Sequence, residues 1–148
     1  MSSPILLASN NLHKLEELRD MLEPHGFSVL RPRDVGLALD VAETGASFAE
    51  NARLKAEAFC HASGMLTLAD DSGLVVDALG GEPGIRSARY GGPDASDLDR
   101  VRMVLEKMRE VPDDRRAARL VGLVLRHRYL LSAGWRDCAA LTRRCRRA

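Results

Sequence analysis

Residues 4–22 read PILLASNNLHKLEELRDML, and a change of hydrophobic period inside this stretch decides the fold class. The apolar run Pro4, Ile5, Leu6, Leu7, Ala8 closes on the polar Ser9, as a buried strand does at its carboxyl end. Asn10 and Asn11 follow as a turn and a helix cap, and from His13 onward Leu15, Leu18, Met21 and Leu22 are read as one helical face. The stretch is strand, turn, helix.

Working outward, residues 26–30 (GFSVL) read as a second strand and 32–39 as a loop. Residues 47–61 form a second helix with Phe48, Ala52, Leu54, Ala56 and Phe59 available for packing, and Ser47 with Glu50 three residues later matches a capping box. Short strands are expected at 66–69 and 74–78, on either side of Asp70 and Asp71. Residues 80–93 are a loop rich in Gly and Pro, and 96–109 a third helix that starts at Ser96 or Asp97 and carries Leu98, Val101, Val104, Leu105 and Met108. Strands alternating with helices predict an α/β domain with a substantially parallel or mixed sheet. There is no internal repeat and no low-complexity linker.

A chain of 148 residues suits one domain, or one domain with a small second lobe, and buries about 70% of its unfolded surface. It contains no run of about 18 apolar residues, and the opening MSSPILLASNN has no basic segment ahead of its short apolar stretch. Neither a membrane span nor a signal peptide is expected, and the reading is cytoplasmic. Cys60, Cys138 and Cys145 are an odd number without zinc-ligand spacing, so free thiols in a reducing compartment are expected, with Cys60 beside His61 as helix packing. The net charge of +1 conceals an asymmetry. Residues 1–118 hold 14 basic against 20 acidic groups, whereas 119–148 hold 8 arginines and only Asp137. That tail carries Arg143, Arg144, Arg146 and Arg147, but with only Tyr129 and Trp135 nearby it lacks aromatics at a stacking spacing. No specific nucleic-acid partner follows from it.

Ligands in open α/β sheets sit beyond the carboxyl ends of strands, and three polar clusters fall there. The first is SNNLHK, residues 9–14, where amides at a helix start plus Lys14 suit an anion such as phosphate; equally, it is what any capped surface helix carries. The second is ETG, residues 43–45, followed by the helix bearing Glu50, Asn51 and Lys55, which by itself reads as a solvated loop and polar face. The third is ADDSG within TLADDSGLVVDALGG, residues 67–81, which is either a turn with exposed carboxylates or a cation site. Neighbouring aspartates repel one another, and a bound divalent ion would offset that repulsion. Hard oxygen donors select Mg²⁺, which takes one or two carboxylates plus substrate phosphates.

In order and spacing, SNNLHK, ETGASFAENARLKA, LADDSGLVVDALGGEPGIRSARYGG and VPDDRRAAR resemble the inosine triphosphate pyrophosphatases, house-cleaning enzymes for non-canonical purine nucleotides. The resemblance runs from about Ile5 to Arg119. It implies a two-lobed α/β fold with a long mixed sheet flanked by helices, usually as a homodimer. The implied reaction is Mg²⁺-dependent hydrolysis of ITP, dITP or XTP to the monophosphate and pyrophosphate. By the same resemblance Ser9, Asn11 and Lys14 surround the triphosphate, with Asn10 in the same turn, and Lys55 approaches the phosphates from the second helix. Glu43 and Asp70 hold Mg²⁺, Asp71 is metal-associated and accepts the proton of the attacking water, and Ser72 touches substrate.

Beyond Arg119 the resemblance fades. Family members continue with a strand, a Gly-rich stretch containing a GFGYDP-type motif and a late Ser-His-Arg motif that supply most of the base pocket; none of these is read here, where the chain runs LVGLVLRHRYLLSAGWRDCAALTRRCRRA. The reading is therefore a pyrophosphatase domain over residues 1–119 with a divergent Arg-rich tail over 120–148, from a truncated or frameshifted carboxyl terminus. Impaired turnover is expected of such a form. The alternative is a non-catalytic nucleotide-binding remnant of the same family.

Overall fold

The computed structural model of the chain describes residues 2–127 and 139–144. Strands and helices alternate through the third helix as the sequence predicts: β1 (Ser3–Leu7), α1 (Leu12–Leu22), β2 (Phe27–Leu30), α2 (Phe48–Ser63), β3 (Thr67–Val76) and α3 (Asp97–Lys107), followed by β4 (Ala118–His127) and β5 (Ala139–Arg144), which the sequence does not predict. The strands make one mixed sheet in the order β2-β1-β3-β4-β5, with β1 parallel to both its neighbours. The chain divides into two compact units, one built on residues up to Asp71 together with the end of β4, the other on Ser72–Gly122.

In the first unit the uninterrupted apolar run of β1 is explained by burial on both faces, as parallel strands require. Leu6 and Ala8 pack with Ala56, Phe59 and Ala69, while Leu7 packs with Leu15 and Val29. On α1, Leu15, Leu18 and Leu22 complete the second cluster. Met21 does not join them and is 40% exposed. At 100° per residue it falls well off the stripe that positions 15, 18 and 22 define.

α2 begins at the expected cap, where the Ser47 Oγ accepts from the Glu50 amide at 3.2 Å. The reciprocal bond of a capping box is displaced by one residue, since the Glu50 carboxylate accepts from the Ala46 amide at 2.6 Å. The helix runs to Ser63 and stops at Gly64, whose φ of 68° is a left-handed conformation that glycine adopts without penalty. Cys60 is fully buried among its packing residues. Cys138, Cys145, Tyr129, Trp135, Arg146 and Arg147 lie outside the described residues.

Three expectations are corrected. Instead of two short strands broken by an acidic turn, β3 is a single strand of 10 residues that carries Asp70 and Asp71 in its interior. Ala69, Asp71 and Gly73 are buried and alternate with the half-buried Asp70 and Ser72, so pairing and burial override the poor strand propensity of this segment. On α3, the apolar residues Leu98, Val101 and Leu105 that the sequence places on the helix are 56%, 53% and 57% exposed; of the five apolar residues named there only Met108 is buried. No strand was expected after Arg119 either, yet β4 runs from Ala118 to His127, because its apolar residues 120–125 pair into the sheet.

Candidate functional site

The acidic pair is best understood from the strand that carries it. Consecutive side chains of a β-strand point to opposite faces, so Asp70 and Asp71 are turned away from each other by the backbone. Just beyond the end of β1, where the Ala8 amide donates to the Leu68 carbonyl at 2.7 Å, the pair meets two different helices.

Asp70 meets α1. The Lys14 Nζ lies 2.5 Å from its Oδ2, and its Oδ1 is buried without a hydrogen-bond partner. Lys14 sits one turn into a helix capped by Asn11, whose Oδ1 accepts from the amides of His13 at 3.0 Å and Lys14 at 3.4 Å. The Ser9 Oγ accepts from the Asn11 amide at 3.2 Å, so Ser9, the exposed Asn10 and Asn11 form one turn beside that lysine. Part of the expected amide cradle is thus engaged by Asn11 itself.

Asp71 meets α2. It is 7% exposed; its Oδ1 lies 3.5 Å from the Lys55 Nζ and its Oδ2 accepts from the Asn51 amide group at 3.2 Å. Lys55 also pairs with Glu43 at 2.8 Å. Burial pushes the Asp71 carboxyl above the ordinary carboxylate range; Lys55 and the Asn51 hydrogen bond pull it back, and the charge of Glu43 adds to the rise. The lysines therefore explain how adjacent carboxylates are tolerated in one strand. Each carboxylate has its own cation, and the cluster Lys14, Lys55, Glu43, Asp70 and Asp71 carries one net negative charge.

Ser72, the next residue of β3, belongs to the other unit, where a Cβ on Gly122 would come within 3.4 Å of its own Cβ. Among the described residues no three His, Cys, Asp or Glu side chains gather closely enough to hold a metal ion, so Glu43, Asp70 and Asp71 do not form a ready cage. Mg²⁺ does not require one, because it binds through one or two carboxylates and completes its shell with water and substrate phosphates. The orphaned, buried Asp70 Oδ1 is a hard anionic oxygen of the kind such a cation takes. The donor chemistry fits.

Asn51 was not among the expected site residues. It has no exposed surface and is bonded both to Asp71 and to the Gly45 amide, at 2.8 Å. The available signal was its spacing, four residues before Lys55 and hence on the same helical face, next to the packing residue Ala52.

A sequence profile described as the Ham1 family matches residues 5–134. Curated relatives include a dITP/XTP pyrophosphatase of Shigella flexneri, 46% identical over 83% of this chain and 63% of its own length, and one of Symbiobacterium thermophilum, 48% identical over 81% and 59%. The chain thus spans less than two thirds of the length of these relatives. Among solved structures, the Staphylococcus aureus Ham1 protein aligns with a TM-score of 0.79 and 34% identity, covering 95% of this chain and 68% of that one. A nucleoside-triphosphatase/dITP/XTP pyrophosphatase of Mycobacterium abscessus aligns with a TM-score of 0.75 and 36% identity, covering 95% and 70%.

Proposed function

Since the chain belongs to the Ham1 family, we propose that it acts on non-canonical purine nucleoside triphosphates such as dITP, ITP and XTP, hydrolysing them to the monophosphate and pyrophosphate. The observation that carries this reading is the environment of Asp71, a buried carboxylate held at one oxygen by Lys55 and at the other by Asn51. A base raised above the ordinary carboxylate range by burial is better matched to taking a proton near neutral pH than an exposed aspartate. Asp71 accepts a proton from water as the water oxygen bonds to the α-phosphorus. The bond from that phosphorus to the bridging oxygen breaks, and pyrophosphate leaves with the electron pair.

Lys14 and Lys55 spend their charge on Asp70 and on Glu43 and Asp71 in the ligand-free chain, and substrate phosphates compete for it. Ser9, Asn10 and Asn11 present the turn beside Lys14 to the triphosphate, and Ser72 touches substrate. Mg²⁺, held by Asp70 with Glu43 and Asp71, would neutralise phosphate charge and lower the pKa of bound water. In this proposal residues 1–119 carry the phosphate and metal half of the site, residues 120–148 are a divergent tail, and the working form is a cytoplasmic homodimer. No helix among the described residues is long and apolar enough to cross a membrane.

The test is phosphate release from ITP, dITP and XTP, with Mg²⁺ or EDTA, and with or without added inorganic pyrophosphatase. The expected result is a signal that needs both Mg²⁺ and the added enzyme. Orthophosphate as the primary product would overturn the assignment, and nucleotide binding without release of pyrophosphate would leave the non-catalytic alternative.

A further inference from the structure

An asparagine with no exposed surface in the first turn of a helix is expensive unless both ends of its amide are satisfied, and in Asn51 they are. The Oδ1 accepts from the Gly45 amide at 2.8 Å and the Nδ2 donates to the Asp71 Oδ2 at 3.2 Å. The orientation is forced by the partners, since the flipped amide would set donor against donor and acceptor against acceptor.

The Gly45 end is equally constrained. A Cβ at position 45 would lie 2.6 Å from the Glu50 Cβ, 2.8 Å from the Asn51 Oδ1 and 3.0 Å from the Asn51 amide nitrogen. Glycine is needed there because the turn is laid directly on the first turn of α2, and no left-handed φ is involved. Two residues earlier in the same turn is Glu43, whose carboxylate is held by Lys55. Asn51 and Lys55 are spaced four apart, which puts both on the face of α2 that meets Asp71.

We propose that Asn51 is a positioning residue that locks the Glu43–Gly45 turn to Asp71, fixing the direction of the Asp71 carboxylate and the distance between the two acidic groups. The proposal rests on the hydrolytic reading for its catalytic consequence. Its structural content, one side chain coupling the turn to the carboxylate, stands apart from that reading and is tested apart from it.

Two variants separate the two bonds. Asn51→Asp keeps an acceptor for the Gly45 amide and removes the donor to Asp71; Asn51→Leu removes both. If the residue only anchored the turn, the Asp variant would shift the pH profile of kcat through the added charge beside Asp71 but reach the wild-type plateau. As a positioning residue, it gives a fall in kcat of about 10- to 100-fold in both variants, with KM changed by less than about threefold, as expected for a misaligned reacting group. Circular dichroism and melting temperature establish that the variants fold.

The readout independent of turnover is NMR: in the full chain, Asp71→Asn should shift the Asn51 side-chain amide and the Gly45 backbone amide together, and Asn51→Leu should speed hydrogen exchange at Gly45. If the chain hydrolyses no triphosphate, the hydrolytic reading fails while the amide shifts still decide the coupling. Unchanged Gly45 signals in Asp71→Asn, or wild-type kcat in a folded Asn51→Asp, would overturn the proposal.

Discussion

Helices α2 and α3 are both started by a serine cap and both carry an apolar stripe, yet their fates in the fold differ. In α2 the cap is half of a capping box and the helix buries Asn51, Ala52, Ala56, Phe59 and Cys60. In α3 the box is complete, with the Ser96 Oγ accepting from the Asp99 amide at 3.2 Å and the Asp99 carboxylate accepting from the Ser96 amide at 3.1 Å, and no residue between Asp97 and Lys107 is buried. Periodicity reveals which face of a helix is apolar; what covers that face is tertiary information. In the first unit, α1 and α2 bring Lys14 and Lys55 to the acidic pair of β3.

The largest effect expected from this contrast is catalytic. Asp71→Asn should lower kcat by about 10² to 10⁴, the range for a positioned base, measured as pyrophosphate release with saturating ITP and Mg²⁺. Lys14→Ala should act mainly on KM, because Lys14 faces Asp70 and the phosphate turn and makes no described contact with Asp71. Any ionisable residue of α3, such as Arg102, should be replaceable without change in rate. A comparable loss from an α3 variant would break the comparison.

Much of the contrast was legible in the residues. The strand, turn and helix of residues 4–22 were read within a residue or two, because a buried strand and an amphipathic helix have different periods. Ser47 was identified as a helix start because a capping box is local chemistry, and the start of the third helix was placed at Ser96 or Asp97, one residue either side of the boundary found. The continuity of β3 was not legible: Asp70, Asp71, Ser72 and Gly73 are poor strand formers, and what holds them extended is pairing in the sheet together with Lys14 and Lys55, distant in sequence. Asn51 was missed for a related reason. Its partners are six and twenty residues away, and a polar residue on a helix reads as solvated until the fold places something over it.

Next in size is core packing. Phe59, 5% exposed and packed with Leu6, Ala8, Ala56 and Ala69, should cost about 3–5 kcal/mol when replaced by alanine, which is a large part of the stability of a domain this size. Leu105→Ala on α3 should stay within about 0.5 kcal/mol, because little burial is lost and alanine is the better helix former. Urea midpoints of the two variants, compared at equal m-value, check both. A cost for Leu105→Ala approaching that of Phe59→Ala would mean that the α3 face is covered in solution.

Removing the caps should give smaller and qualitatively different losses. Ser47→Ala and Ser96→Ala each remove one bond to an N-terminal amide, worth about 1 kcal/mol. Because α2 is held by burial, its loss should appear in the global unfolding free energy. In α3, which has little tertiary support, the same loss should appear as local fraying, read as faster amide exchange at residues 97–100 with the urea midpoint little changed.

The smallest effect is in the pH dependence, where an acid beside each helix should act with opposite sign. The Ser96 hydroxyl and backbone hold the Asp99 carboxyl below its ordinary value of 3.8, so between its folded pKa and 3.8 the unfolded chain binds more protons. Its contribution is therefore fully present above 3.8 and is lost as pH falls through the folded pKa. Asp71 is raised from 3.8 by burial, so between 3.8 and its folded pKa the folded chain binds more protons, and stability falls as pH rises through that window. Urea midpoints between pH 2.5 and pH 8, in EDTA, should show Asp99→Asn losing part of the rise on the acid side. Asp71→Asn should lose the decline above pH 4 and melt a few degrees above wild type near neutral pH, as relieving a buried functional charge commonly does. If Asp71→Asn instead melted lower at pH 7, the ion pair with Lys55 would outweigh burial, and Asp71 would be a structural acid of the same kind as Asp99.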